Sequence, residues 1–258
     1  MILLTALTQS GNSYGASLNQ EILHSNSIAW SKDGLYVAIG AKTKVEILDS
    51  EFNVLKELNG HTTDVSSVVF SPDGKYLASG DDSGVIRFWS IDNWNNTKTL
   101  YSGMVPTIIF SADRKLFASG DWDGKIIIWD TNTWRKIRTL KHVDESSNDL
   151  SMESFFNSQI RSIAFSPDGK YLVSGGNDGI VCIWSTDTWN KVNALKGHEH
   201  WISCVAFSPN GKYIVSGSHD GIICIWDTET GENIQDYSGH NLRTISISFS
   251  PDGKFLVH

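Results

Sequence analysis

One short phrase, repeated at near-constant spacing, constrains the fold of this chain more than any other feature. It reads Trp30-Ser-Lys-Asp-Gly34, Phe70-Ser-Pro-Asp-Gly74, Phe110-Ser-Ala-Asp-Arg114, Phe165-Ser-Pro-Asp-Gly169, Phe207-Ser-Pro-Asn-Gly211 and Phe249-Ser-Pro-Asp-Gly253. Counted at the Asp or Asn of each phrase (33, 73, 113, 168, 210 and 252), the steps are 40, 40, 55, 42 and 42. A fixed period of this length means that one supersecondary unit stacks against copies of itself.

Each unit reads as short strands separated by tight turns. In the fifth, Ile202 to Phe207 precedes the turn Ser208-Pro-Asn-Gly211, and Lys212-Tyr-Ile-Val-Ser216 follows it. The turn Ser218-His-Asp-Gly221 leads into Ile222-Ile-Cys-Ile-Trp226, and a fourth strand runs from Asn233 to about Tyr237. Proline fixes φ and glycine takes positive φ in such turns, while β-branched and aromatic residues fill the strands. No run has helical apolar spacing long enough to compete. Four antiparallel strands per period of roughly 40 residues is the pattern of a radial propeller blade. A lone sheet would leave one apolar face in water, so blades pack side by side around an axis. That packing gives Trp89, Trp129, Trp184 and Trp226, one in each third strand, a structural reason.

These motifs resemble the WD40-repeat family over roughly residues 25 to 258. Gly197-His198, Ser216-Gly217, Asp220-Gly221 and Trp226-Asp227 match the whole family pattern. The resemblance implies a hydrogen-bonded tetrad in each blade, formed in the fifth by His198, Ser216, Asp220 and Trp226. A carboxylate, imidazole, hydroxyl and indole in sequence leave few polar groups unsatisfied. The second blade offers His61, Ser79 and Trp89, with Ser83 where the Asp is expected. The third and fourth keep Ser119, Asp123, Trp129 and Ser174, Asp178, Trp184, but no Gly-His is read ahead of them. The first has Leu48 in the Trp place and no Asp-Gly turn, and it is expected to be the weakest. The fold expected is all-β: a propeller of about six blades of four antiparallel strands, spanning 25–59, 60–102, 103–141, 159–196, 197–238 and 239–258, with an insertion at 142–158. The sixth blade is incomplete and is expected to be finished by residues 1–24, where Ile2 to Leu7 and Asn19 to His24 read as strands. The stop within a sixth-blade strand suggests that the natural chain continues.

The chain is acidic, with 29 Asp and Glu against 21 Lys and Arg and a net charge of −8 over 258 residues. A phosphate backbone is bound through a basic face, and no Lys/Arg cluster supplies one, so neither nucleic acid nor an anionic membrane is expected as a partner. The apolar stretch at residues 2–7 lacks a preceding basic residue and is too short to span a bilayer. Cys182, Cys204 and Cys224 are odd in number and widely spaced, which is not a disulfide framework. A cytoplasmic location is expected.

The Ser, His and Asp of one blade invite comparison with a hydrolase triad. They recur at blade spacing as buried groups, and no nucleophile elbow accompanies them. His198, His200 and His219 lack metal-ligand spacing. No catalytic residue, metal, cofactor or small-molecule substrate is expected. The function expected is a non-catalytic interaction scaffold, with a sensor propeller of a larger signalling ATPase or kinase as the alternative. In the resembling family the loops entering each blade share one face with those joining strands two and three. Here that face carries Asp64, Met104, Trp122, Asn177, Trp201, His219 and Arg243. Trp122 sits in a Gly-Asp-Trp-Asp-Gly turn that leaves an indole little room to hide. The insertion brings Phe155 and Phe156 to the same face beside Asp144, Glu145, Asp149 and Glu153. Acids next to apolar anchors suit a protein or peptide of basic character.

Overall fold

In the computed structural model, residues 27–143, 156–238, 244, 246–250 and 252–257 are described. They form five antiparallel sheets of four strands each and one two-stranded sheet. The first sheet takes β1 (Ser27–Trp30), β2 (Tyr36–Ala41), β3 (Lys44–Asp49) and β4 (Val54–Asn59). The second takes β5 (Val65–Phe70), β6 (Tyr76–Asp81), β7 (Val85–Ser90) and β8 (Asn96–Tyr101). The third takes β9 (Thr107–Phe110), β10 (Leu116–Gly120), β11 (Lys125–Asp130) and β12 (Lys136–Lys141). The fourth takes β13 (Ile160–Phe165), β14 (Tyr171–Gly176), β15 (Ile180–Ser185) and β16 (Lys191–Lys196). The fifth takes β17 (Ile202–Phe207), β18 (Tyr213–Ser218), β19 (Ile222–Asp227) and β20 (Asn233–Ser238). A sixth unit begins with β21 (Ser248–Phe249) and β22 (Leu256–Val257). The N-terminal segments expected to complete it lie outside the described residues.

The repeated phrase builds the same turn each time. Ser71 Oγ donates to Asp73 Oδ1 at 2.6 Å and accepts from the Tyr76 amide at 2.9 Å, closing the hairpin between β5 and β6. Ser31, Ser166 and Ser208 repeat this with Asp33, Asp168 and Asn210. At Gly74 φ is +69°, a conformation that glycine takes without strain.

The first strands of consecutive sheets, β1, β5, β9, β13 and β17, lie side by side, which is the radial arrangement of a propeller. Apolar clusters fill the spaces between sheets. One joins Val45, Ile47 and Leu58 of the first sheet to Val68, Leu77 and Trp89 of the second. Another joins Val181, Ile183 and Leu195 of the fourth to Ile202, Ile214 and Trp226 of the fifth. Each third-strand Trp thus packs against the sheet before it. The turn from third to fourth strand adds a second aromatic anchor: Trp94, Trp134 and Trp189 all sit at positive φ, between 56° and 59°. Trp94 meets Tyr36 edge-on at 5.3 Å and Trp134 lies 4.2 Å from Phe88, each in the preceding sheet.

Two kinds of β-bulge recur. In all five complete sheets the register of strands three and four shifts at the Trp position or, in the first, at Leu48. In the second, fourth and fifth sheets the register of strands one and two skips one residue, leaving Ser66, Arg161 and Ser203 as the extra residues. A bulge bends the strand and re-aims the extra side chain.

Candidate interaction face and the buried tetrads

The second sheet holds a closed polar chain. Trp89 Nε1 donates to Ser79 Oγ at 2.8 Å, Ser79 Oγ lies 2.7 Å from His61 Nε2, and His61 Nδ1 lies 2.7 Å from Asp81 Oδ2. An indole N–H only donates and a carboxylate only accepts, so with a neutral imidazole the chain runs from Trp through Ser and His to Asp. The sequence reading has no acid in this blade, because Ser83 fills the expected place. The acid is instead Asp81, two residues earlier, and Ser83 Oγ donates to its other oxygen at 2.7 Å.

The fourth sheet also corrects the reading. His142, assigned to the insertion, belongs to its tetrad: Nδ1 lies 2.8 Å from Ser174 Oγ and Nε2 lies 3.2 Å from Asp178 Oδ1, while Trp184 donates to the same serine at 2.8 Å. The missing histidine is therefore present, separated from its partners by the insertion. In the fifth sheet His198 lies 2.8 Å from Ser216 Oγ and 3.2 Å from Asp220 Oδ2, and Trp226 donates to Ser216 at 2.8 Å.

The third sheet departs from the pattern. Ser102 stands where the histidine would be and approaches Ser119 only to 3.4 Å, the same distance as Trp129 Nε1. Asp123 does not join Ser119 and Trp129. It is half-exposed and pairs with Lys125, whereas Asp121 is the buried acid of this turn. Burial raises the Asp121 pKa, opposed by the backbone N–H of Lys125 and helped by Asp123. Ser79, Ser174 and Ser216 are fully buried, and each accepts from an indole. Among the described residues no group of three or more His, Cys, Asp or Glu is placed to hold a metal ion.

One end of the sheets gathers the loop positions. The Asp82, Trp122, Asn177 and His219 amides donate to the carbonyls of Asp64, Met104, Gln159 and Trp201 at 2.9 to 3.1 Å. Adjacent sheets are stitched at this same end, since the amides of Val65, Ile160 and Thr244 reach the strand two to three turn of the preceding sheet. Asp64, Met104, Trp122, Asn177, Trp201 and His219 therefore share one face.

Their exposure differs. Met104, Trp201 and Phe156 present 47%, 41% and 50% of their surface, and Asp64 is exposed. Trp122 hides more than its turn suggests, with its indole nitrogen buried and without a hydrogen bond. Asn177 is 4% exposed and unsuited to direct contact. Its side chain instead accepts from Arg161 Nε at 2.8 Å and donates to the Phe156 carbonyl at 2.8 Å. Phe156 lies in helical backbone at residues 156–158, just before β13. Phe155 and Arg243 lie outside the described residues. The His219 ring lies 5.4 Å from that of Trp201, and the Arg161 guanidinium stands 5.6 Å over Trp201. Burial raises the Asp82 pKa, with Ser66 opposing and the neighbouring Asp64 and Asp81 adding to the rise. The sequence reading misses Arg161 and Asp82. Nothing in the sequence marks Arg161 as the extra residue of a bulge.

The WD40 family model, described as WD domain, G-beta repeat, matches residues 52–90, 94–130, 151–185, 189–227 and 231–257. The first match runs from the outer strand of one sheet to the third strand of the next, so the sequence repeat is offset by one strand from the sheet. Nuclear distribution protein nudF of Emericella nidulans is 42% identical over 53 residues, which is 20% of this chain and 12% of nudF. General transcriptional corepressor TUP1 of Saccharomyces cerevisiae is 48% identical over 40 residues, which is 16% of this chain and 6% of TUP1. The chain thus matches only a small part of each relative's length.

Proposed function

The chain belongs to the WD40-repeat family, and from that premise we propose that it is a non-catalytic scaffold that binds a protein or peptide through the loop face. The observation that carries this reading is the exposure of Met104, Trp201 and Phe156 on one end of a rigid set of sheets. Large side chains held in water on fixed loops lose little entropy on binding, and Trp is enriched among the residues that dominate interface energies. The serines and histidines of the tetrads in the second, fourth and fifth sheets are hydrogen-bonded to one another inside the sheets. The exposed Asp64 and the half-desolvated Asp82 support a contacting segment of basic character on the second sheet's side of the face.

The test is a pull-down with the wild-type chain and a variant carrying Asp64→Ala, Met104→Ala and Trp201→Ala, both matched for thermal stability. A protein captured by wild type and lost in the variant is the expected result. Equal capture by both, or none by either, removes the loop face as the working surface.

A further inference from the structure

Among the bulged residues of the first strands, two are serines and one is an arginine. Ser66 and Ser203 donate to the carbonyls of Val105 and Thr244, tying each strand to the next sheet. Arg161 occupies the same place on β13 but makes a different set of contacts. Its Nε is fixed by Asn177 Oδ1 at 2.8 Å, one terminal nitrogen lies 3.4 Å from Gln159 Oε1, and its plane rests 5.6 Å from the Trp201 ring of the next sheet. Asn177 and Gln159 are themselves buried and bonded to one another at 3.2 Å, so the platform under the guanidinium is rigid.

Among the described residues, no carboxylate pairs with this arginine. Its partners among the described residues are neutral amides and an aromatic face, and burial alone lowers its pKa, with no acid acting against it. A half-buried charge without an opposite charge is unfavourable. A guanidinium held in one orientation presents its remaining N–H groups as a planar fork that matches a carboxylate or a phosphate. The exposed Trp201 supplies apolar surface beside that fork, and the exposed Phe156 is tied to the same platform through its carbonyl on Asn177.

We infer that Arg161 is an anion-recognition residue that receives a carboxylate or phosphate side chain of a bound peptide whose neighbouring residues are apolar. This rests on the loop-face scaffold reading and extends it by naming the chemistry of one anchor. An acidic side chain at Arg161 and a basic segment over Asp64 and Asp82 are compatible, because the third sheet lies between them.

The experiment uses the whole chain at constant ionic strength. Three end-blocked peptides share one apolar sequence and differ at a central phosphoserine, glutamate or lysine, and free O-phosphoserine is the fourth probe. Binding is read from the Arg161 Nε–Hε NMR signal and by calorimetry. The phosphoserine and glutamate peptides are expected to bind at least tenfold tighter than the lysine peptide. Both should also bind more tightly than free O-phosphoserine. Arg161→Gln is expected to reduce them to the level of the lysine peptide, and Arg161→Lys to lose the preference for phosphoserine over glutamate. Should Arg161→Gln fail to fold, Trp201→Ala carries the test: the anionic peptides weaken but stay ahead of the lysine peptide. No detectable binding of either anionic peptide, equal binding of the lysine peptide, equal binding of free O-phosphoserine, or unchanged affinity in Arg161→Gln overturns the inference. If the pull-down captures a partner through Met104 and Trp201 that Arg161→Gln also captures, the anion site fails while the scaffold reading stands.

Discussion

His142 and Ser174 are 32 residues apart in sequence, yet His142 Nδ1 lies 2.8 Å from Ser174 Oγ inside the fourth sheet. His142 precedes the insertion and Ser174 follows it, so the polar chain is assembled from residues on both sides of that segment. Lys191 holds the His142 carbonyl at 2.7 Å and covers the Trp184 ring at 5.3 Å, which fixes the entry point from the far side.

The hydroxyl at the centre of each tetrad sets how much that tetrad contributes. Ser79, Ser174 and Ser216 each hold an indole at 2.8 Å and an imidazole at 2.7 to 2.8 Å, whereas the two contacts of Ser119 are both 3.4 Å. Replacing one of the first three by Ala strands a buried donor and a buried ring nitrogen, at about 1–3 kcal/mol each. Ser119→Ala is expected to cost less than any of them in urea unfolding. A larger loss at Ser119 would contradict this ordering.

The buried histidines of the second and fourth sheets are expected to titrate in opposite directions. Burial lowers the His61 pKa; Asp81 opposes this, and the nearby Arg87 adds to the lowering. Burial also works against His142, but Asp178 and Cys182 outweigh it and hold its pKa at about 10. The raised pKa of His142 stabilises the fold fully below pH 6.5, and this is lost as pH climbs toward about 10. The lowered pKa of His61 contributes stability above pH 6.5 that is lost as pH falls through its folded value. NMR titration of labelled histidines checks both directions. Arg87→Gln is expected to move His61 upward, and an unmoved His61 would remove Arg87 as a cause.

Trp134 sits at φ 56°, where a bulky residue is strained, and is retained by its packing on Phe88 and Phe117. Trp134→Ala forfeits the packing and keeps the strain, for a loss of about 3–5 kcal/mol. Trp134→Gly loses the same packing but relieves the strain, so it should unfold at a higher denaturant concentration than Trp134→Ala. That reverses the usual order of Ala and Gly, and the usual order in a chemical melt would refute it.

Gly175 and Gly74 separate the space between sheets from the strain of a turn. A side chain at Gly175 would run into Ile202 and Val205 of the next sheet, so Gly175→Ala should cost about 1–3 kcal/mol through overpacking. Gly74 has open space around it and only its positive φ to protect, so Gly74→Ala should cost about 1 kcal/mol. Thermal melts of the two variants compare the terms directly.

Everything that depends on neighbours within about ten residues is legible in the chain itself. The Ser71-to-Asp73 turn, the continuous run of buried residues along β6 and β18, and the recurrence of Trp89, Trp129, Trp184 and Trp226 are local and repeat, so they specify an all-β stack of four-stranded sheets. The tertiary structure alone decides which of several candidate groups reaches a buried partner. Asp81 takes over from Ser83 because a carboxylate two residues earlier in the turn still reaches the buried His61 ring. His142 is separated from β13 by a long stretch of sequence, and no spacing rule spans a connection of arbitrary length. Arg161 is aimed by a register skip between Ile160 and Ser162. The skip breaks the alternation of buried residues along β13, but Arg161 is flanked by Ile160 and Ser162 with no turn residue to mark the place, so only the pairing with β14 reveals it.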